Sequence, residues 1–262
     1  MIDYHIHTEL CKHAKGKMRD YVDAAIKKGL DKMGFSDHLP FNESYMKELS
    51  MSPKELDFYV SEIEKLRQEY GMDILCGIEA DFYYEKMDEI VELLRKYDFD
   101  YIYGSVHYIN GWAFDNPKFI TEWERYDVDE VYEAYYATLK TMVQSGVYDV
   151  VAHFDLVKKF SYLPNRPFYE EINEIMALIK ENKMLIEVNT SGLRKPAKEI
   201  YPSKFILEVA KNYDIPLILG SDAHKPEDVA ADFDKAVSLV KSAGYTEIAI
   251  IKNRQIVGWE KI

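Results

Sequence analysis

Short apolar runs alternate with longer amphipathic stretches along almost the whole of this 262-residue chain, and that alternation leaves few folds open. The apolar runs read as strands over 1–6, 31–36, 73–80, 101–106, 148–152, 184–189 and 215–220. Helices are predicted between them over 19–28, 53–70, 85–96, 128–145, 168–182, 203–213 and 227–243. Ser52-Pro53 and Glu55 give the helix at 53–70 an N-cap, N1 and N3 set, and Ser203 after Pro202 caps the one at 203–213. Repeated strand–helix units imply parallel strands joined by right-handed crossovers. About seven such units close into a TIM-type α/β barrel, distorted and one unit short; an open doubly wound sheet is the alternative. No Ser/Gly linker, low-complexity tract or internal repeat interrupts the pattern, so residues 1–262 read as one domain. Residues 247–259 look like one more strand and a turn packed on the barrel, without chemistry. Residues 111–127, with Trp112, Phe114, Trp123 and Tyr126, form the longest irregular insertion and are expected over the catalytic face.

All seven histidines fall just after one of the apolar runs or within a few residues of one. In a parallel barrel every strand C-terminus meets at one mouth, where active sites form, and imidazole is the commonest protein metal ligand. His5 and His7 are two apart on a strand and leave the same face. Asp222 and His224 repeat that spacing. Glu79 follows the run Asp73–Ile78, where a barrel strand should otherwise stay apolar. With His13, His38, His107 and His153 this makes seven imidazoles and two carboxylates, more than one tetrahedral ion can use. Two or three divalent ions are expected; N/O donors suit Zn, Fe or Mn. Asp3 either orients a ligand imidazole from behind or is structural, and Asp37 reads as a solvated or capping acid.

Thirty-three basic against 46 acidic residues leave a formal charge of −13, which argues against broad nucleic-acid binding. A small phosphate ester held by local cations is compatible with it. Two cysteines are too few for a disulfide framework; Cys76 reads as a core thiol, and for Cys11, between His7 and His13, a role at the site's edge is the lesser of the readings. No signal peptide or run of ~20 apolar residues is present, so a reduced, cytoplasmic setting without membrane contact is expected.

Asp3-Tyr-His5-Ile-His7-Thr8, His13, Gly34-Phe-Ser-Asp-His38, Glu79, His107, His153 and Ser221-Asp222-Ala-His224 resemble, in order, the four-part signature of the polymerase and histidinol phosphatase (PHP) superfamily. His7-Thr-Glu-Leu-Cys-Lys-His-Ala14, Phe35-Ser-Asp-His-Leu-Pro40, Gly104-Ser-Val-His-Tyr108 with Trp112-Ala-Phe-Asp115, and Asn189-Thr-Ser-Gly-Leu-Arg194 resemble its monofunctional histidinol-phosphate phosphatases. The resemblance implies a distorted (β/α)7 barrel with a trinuclear metal centre. His5, His7, Glu79 and Asp222 would bind one ion, Glu79 with His107 and His153 a second, and His13, His38 and His224 a third. It also implies hydrolysis of L-histidinol phosphate in histidine biosynthesis, by attack of a metal-bridging hydroxide, with Glu79 and Asp222 at the reaction centre.

Phosphate recognition calls for cations at the same rim. Arg194 follows a strand and a Gly turn and resembles the family's phosphate-gripping arginine. Lys158 stands where relatives carry an arginine; it keeps the charge and loses the bidentate fork, and Lys159 or Arg166 could replace it. The substrate's ammonium and imidazole would favour Asp115, Trp112 and Phe114. Two other readings are a phosphatase or nuclease of different substrate on the same metals, acting on phosphotyrosine protein or nucleotide ends, and a non-catalytic metal- or partner-binding module.

Overall fold

Seven parallel strands follow one another in chain order around a single sheet: β1 Ile2–Asp3, β2 Lys32–Phe35, β3 Asp73–Asp81, β4 Tyr101–Ser105, β5 Val150–Val151, β6 Leu185–Asn189 and β7 Leu217–Gly220. This is a computed structural model, and it describes residues 1–40 and 48–262. Backbone hydrogen bonds just past β1 and β7 bring the two ends together. Tyr4 N donates to Leu219 O at 3.0 Å, His7 N to Ala223 O at 3.0 Å, and Ala223 N to His5 O at 3.2 Å. The result is a distorted (β/α)7 barrel, irregular because β1 and β5 keep only two ladder residues each.

The crossovers carry α1 Met18–Lys27, α2 Pro53–Tyr70, α3 Met87–Leu94, α4 Val128–Gln144, α5 Tyr169–Glu181, α6 Lys204–Asn212 and α7 Phe233–Ser242. The predicted start of α2 is borne out: Pro53 opens it, and Glu55 Oε2 accepts from Ser52 N at 2.6 Å. Gly71, at φ 60°, ends it in the left-handed conformation that only a residue without Cβ adopts cheaply. One apolar layer lies between helices and sheet; a second fills the barrel, with Tyr4, Leu75, Tyr101, Tyr103, Val150 and Ile218. Tyr101 crosses that interior because Gly34 and Gly77 leave it room. A Cβ on either would sit 2.1 or 2.3 Å from its ring or hydroxyl. Its hydroxyl donates to Tyr4 O at 2.7 Å, beside the first histidine.

Two expectations are corrected. The helix expected over 227–243 is divided into a short 3-10 turn at Pro226–Asp228 and α7, because Ala230 and Asp232 take positive φ and Ala230 N is pulled onto Asp3 Oδ2 at 2.7 Å. The segment expected as one strand and a turn is a hairpin, β8 Glu247–Lys252 and β9 Gln255–Lys261. Asn253 and Arg254, both at positive φ, form its two-residue turn. Ala249 and Ile251 of β8 close the barrel at the end opposite the histidines.

Both cysteines are buried and unbridged. Burial pushes the Cys76 thiol up to about 12, and burial and then Asp37 raise Cys11. At pH 8 the thiolate fraction of Cys76 is then about 10⁻⁴, and the thiolate is the reactive species. Neither cysteine should react with a thiol reagent on the native protein, and both should react in denaturant; stoichiometric labelling of the folded chain would contradict this burial. Among the described residues no helix is long and apolar enough to cross a membrane.

Candidate metal centre

The strand ends deliver the histidines to one place. His5 and His7 continue β1, and Ile6 between them bridges Ala223 beyond β7. His38 lies past β2 and bridges Glu79, which stands inside β3. His107 and His153 each come two residues after the end of β4 and β5, and Asp222 two after β7. His13 enters from the loop after a 3-10 turn at Glu9–Cys11.

Glu79, 1% exposed, is the hub. Its Oε2 lies 3.4 Å from His5 Nε2, 3.4 Å from His7 Nε2 and 3.2 Å from His38 Nδ1. Its Oε1 lies 3.0 Å from His153 Nε2 and 3.6 Å from His107 Nε2. Asp222 Oδ1 is 3.2 Å from His7 Nε2 and 3.3 Å from His224 Nδ1. His224 Nε2 reaches His13 Nε2 at 2.9 Å. All nine residues expected at the site therefore converge. His38 sits closer to His7 (ring centroids 4.6 Å) than to His13 (5.5 Å).

The far nitrogens decide what this arrangement can hold. His5 Nδ1 faces Glu187 Oε1 at 2.6 Å, His7 Nδ1 faces Asp37 Oδ1 at 3.4 Å, and His107 Nδ1 faces Asp81 Oδ1 at 2.6 Å. His13 Nδ1 faces Cys11 O at 2.8 Å and His224 Nδ1 faces Asp222 O at 3.0 Å. Carboxylates and carbonyls only accept, so these Nδ1 atoms carry a proton, and the Nε2 atoms are the ones left to offer a lone pair to a cation. Yet His5 Nε2 and His7 Nε2 stand 3.1 Å apart, and His13 and His224 meet in the same way. Two facing lone pairs at that distance repel unless a proton or a metal cation lies between them. The donor set fits divalent ions. Ligand atoms of His5, His7 and Asp222, of His38, Glu79 and His107, and of His7, His38 and His224 fall in groups within 4.8 Å of one another.

Charge is distributed unevenly over the site. Burial alone would lower every imidazole here. Glu187, Glu79 and Asp222 instead carry His5 well above its ordinary value, and Asp222 and Asp37 do the same for His7. Burial is likewise outweighed at His107, which Asp81 and Glu79 raise to about 10. On the other flank burial wins: with His224 and His7 adjacent, His13 falls to about 4, and burial lowers His38 and His224 as well. Burial would raise Glu79 and Asp222, but the surrounding imidazoles hold both carboxyls well below their usual range.

Several supporting residues differ from expectation. Asp37 is fully buried rather than solvated; it accepts from Thr8 N at 3.1 Å, from the Thr8 hydroxyl and from His38 N at 2.7 Å, besides facing His7. Asp3 touches no imidazole; it ties the Asp222 loop to β1 by accepting from Ser221 N at 2.9 Å and Ser221 Oγ at 2.5 Å. Asp81 and Glu187 were missed, although each is an acid inside an apolar strand, the same signal that singles out Glu79.

Lys158, expected at the phosphate, is a correction. Its ammonium is spent on Asp155 at 2.8 Å, Glu199 at 3.0 Å and Ile200 O at 3.1 Å, one acceptor for each N–H. Lys159 points the other way, to Asp115 at 2.8 Å, and joins the insertion after β4 to the end of β5. Arg166 pairs with Glu133 and Glu171 on the surface. Arg194 is half-buried at the rim, donating to Ser221 O next to Asp222, with Asp228 3.6 Å away. Burial lowers the neighbouring Lys195, with Lys159 and Arg194 adding like-charge repulsion. Phe114, expected near the substrate, is fully buried against Trp123 and Tyr135; Trp112 is half-buried and stacks on Tyr126 at 5.2 Å.

Residues 3–191 match the PHP domain family. A Deinococcus radiodurans protein named "Probable histidinol-phosphatase" is 37% identical over 246 residues, covering 93% of this chain and 94% of its own length. The histidinol-phosphatase of Bacillus subtilis is 32% identical, covering 88% of this chain and 96% of its own. Among solved structures, the histidinol phosphate phosphatase of Lactococcus lactis subsp. lactis, complexed with Zn, L-histidinol and phosphate, superposes with a TM-score of 0.85 at 24% identity over 98% of both chains.

Proposed function

The chain belongs to the PHP domain family, and on that premise we propose that it is a histidinol-phosphatase, a metal-dependent hydrolase that converts L-histidinol phosphate to L-histidinol and phosphate. The observation that carries this reading is the convergence of five imidazoles on Glu79, with the Nε2 atoms of His5 and His7 brought face to face at 3.1 Å. His5, His7, Glu79 and Asp222 would hold one ion, Glu79 with His107 and His153 a second, and His13, His38 and His224 a third. Zn, Fe and Mn all suit these donors. Bound there, divalent ions supply charge neutralisation for a phosphate monoester and a nucleophilic water at neutral pH.

The protein's own groups do the rest. Glu79 spans the site with one oxygen on either side and fixes five imidazoles about a common centre. Asp222 stays ionised; its Oδ2 accepts from Ser191 Oγ at 3.0 Å, which leaves Oδ1 turned to the histidines. The proton given up as water attacks phosphorus passes to the leaving alcohol oxygen by way of Asp222 or a water of the site. Arg194 and Lys195, with Lys159 nearby, make the cationic rim that receives the phosphate. Half-buried Trp112 offers a ring face to the substrate's imidazole.

The test is phosphate release from a panel of monoesters, with and without chelator. Histidinol phosphate should be preferred over phosphotyrosine and a 5′-phosphorylated oligonucleotide by at least about tenfold in kcat/KM, or ~1.4 kcal/mol of transition-state binding. Equal rates on all three would overturn the substrate and leave the phosphatase standing. Turnover that ignores the chelator would overturn the metal chemistry.

A further inference from the structure

Strand β6 supplies none of the nine converging residues, yet its Glu187 touches two of them from behind. Glu187 is fully buried. Its Oε1 receives His5 Nδ1 at 2.6 Å; its Oε2 receives the backbone N–H of His153 at 2.8 Å and Asn189 Nδ2 at 3.0 Å. The reach to His5 passes over β7 at Gly220, where a Cβ would lie 2.1 Å from Glu187 Oε1 and 2.7 Å from His5 Cβ. Glycine at 220 is therefore the opening through which one strand grips another.

His153 needs the grip most. Its φ is 25°, outside the regions that residues with a Cβ prefer, and its ring Nδ1 has no partner among the described residues. Besides Nε2 on Glu79 and a carbonyl that accepts from Leu156 N at 2.9 Å, His153 is fixed by its backbone N–H on Glu187. We propose that Glu187 is a positioning residue that sets the distance between two metal subsites, by holding the ring of His5 and the backbone of His153 on the two oxygens of one carboxylate. The proposal rests on the metal-centre reading above, and not on the identity of the substrate.

Three donors surround this carboxylate, so Glu187→Gln is informative. A glutamine amide offers one accepting oxygen and one NH₂, and at least one of His5, His153 and Asn189 must then face another donor. Changes to the residues that orient metal ligands typically cost ~10–100-fold in metal affinity. Zinc bound per chain is measured against buffered free zinc for wild type, Glu187→Gln and Glu187→Asp, alongside the thermal melt of each metal-free protein. E187Q should fold and need ~10–100-fold more free zinc for half-loading, and E187D, which keeps the charge, should recover part of that loss. Wild-type zinc affinity in a folded E187Q would overturn the proposal. Failure of the wild type itself to bind zinc would overturn the metal-centre reading instead. Should E187Q not fold, the side-chain ¹⁵N spectrum of zinc-loaded wild type decides. His5 should carry its proton on Nδ1 and zinc on Nε2; the reverse would overturn the proposal.

Discussion

Glu79→Gln lowers kcat by at least ~100-fold, the upper end of what altering residues behind metal ligands costs, because this carboxylate faces five imidazoles of the proposed centre directly. The substitution is nearly isosteric, so packing is kept and chemistry changes. One oxygen becomes an NH₂ aimed either at His153 and His107 or at His5, His7 and His38, whose near nitrogens are meant to present lone pairs. The negative charge that balances the cluster is removed at the same stroke. Turnover should be measured at saturating metal, with bound metal counted on the same sample, so that lost ions and lost catalysis are told apart. A variant with full metal content and near wild-type kcat would remove Glu79 from the centre of the reaction.

Stripping the metal abolishes turnover and lowers the melting temperature, with a gap that widens as pH rises. An ion present at a hundred times its Kd stabilises by ~2.7 kcal/mol, and at ~2–4 °C per kcal/mol for a domain near this size the gap is roughly 5–10 °C per site so loaded. The pH dependence follows from the raised imidazoles. His5 and His7 lie well above their ordinary value and His107 at about 10, so in the stripped protein they keep their protons at neutral pH. A raised folded pKa gives stability that is complete below the unfolded value of ~6.5 and is lost as pH climbs through the folded one. His13, His38 and His224 are lowered; their cost is felt below ~6.5 and adds no slope above it. Between pH 7 and 9 the stripped protein therefore weakens, while the ions compete with fewer protons and bind more tightly. Melting curves with and without chelator across that range check both parts. A gap that is absent, or that narrows as pH rises, would contradict the cluster's electrostatics.

Much of this was legible in the chain because barrel strands end where chemistry begins. Histidines after apolar runs and an acid within one, Glu79, are local signals, and the parallel topology that the alternation implies brings them together. What escaped was decided by contacts across the barrel. Asp37 looks like a solvated acid beside a histidine until the Thr8 turn folds over it. Glu187 carries the same local mark as Glu79, but its partner His5 is 182 residues away and is reached only because Gly220 has no side chain. The choice between Lys158 and Lys159 turned on a 3-10 turn at Leu156–Lys158. Successive side chains there diverge by ~120°, and one lysine goes to Asp155 and Glu199 while the next goes to Asp115. The break before α7 depends on Asp3, more than two hundred residues earlier.

The hairpin under the barrel bears on the chemistry at the other end. Ile251 N donates to the hydroxyl of Tyr4 at 3.0 Å, and Tyr4 is the residue immediately before His5. The floor of the molecule and the first imidazole thus hang from one aromatic post, so β8 and β9 help to seat His5 from the far end of the barrel. A variant without this hairpin would have its signature histidines in hand and no floor beneath to steady them.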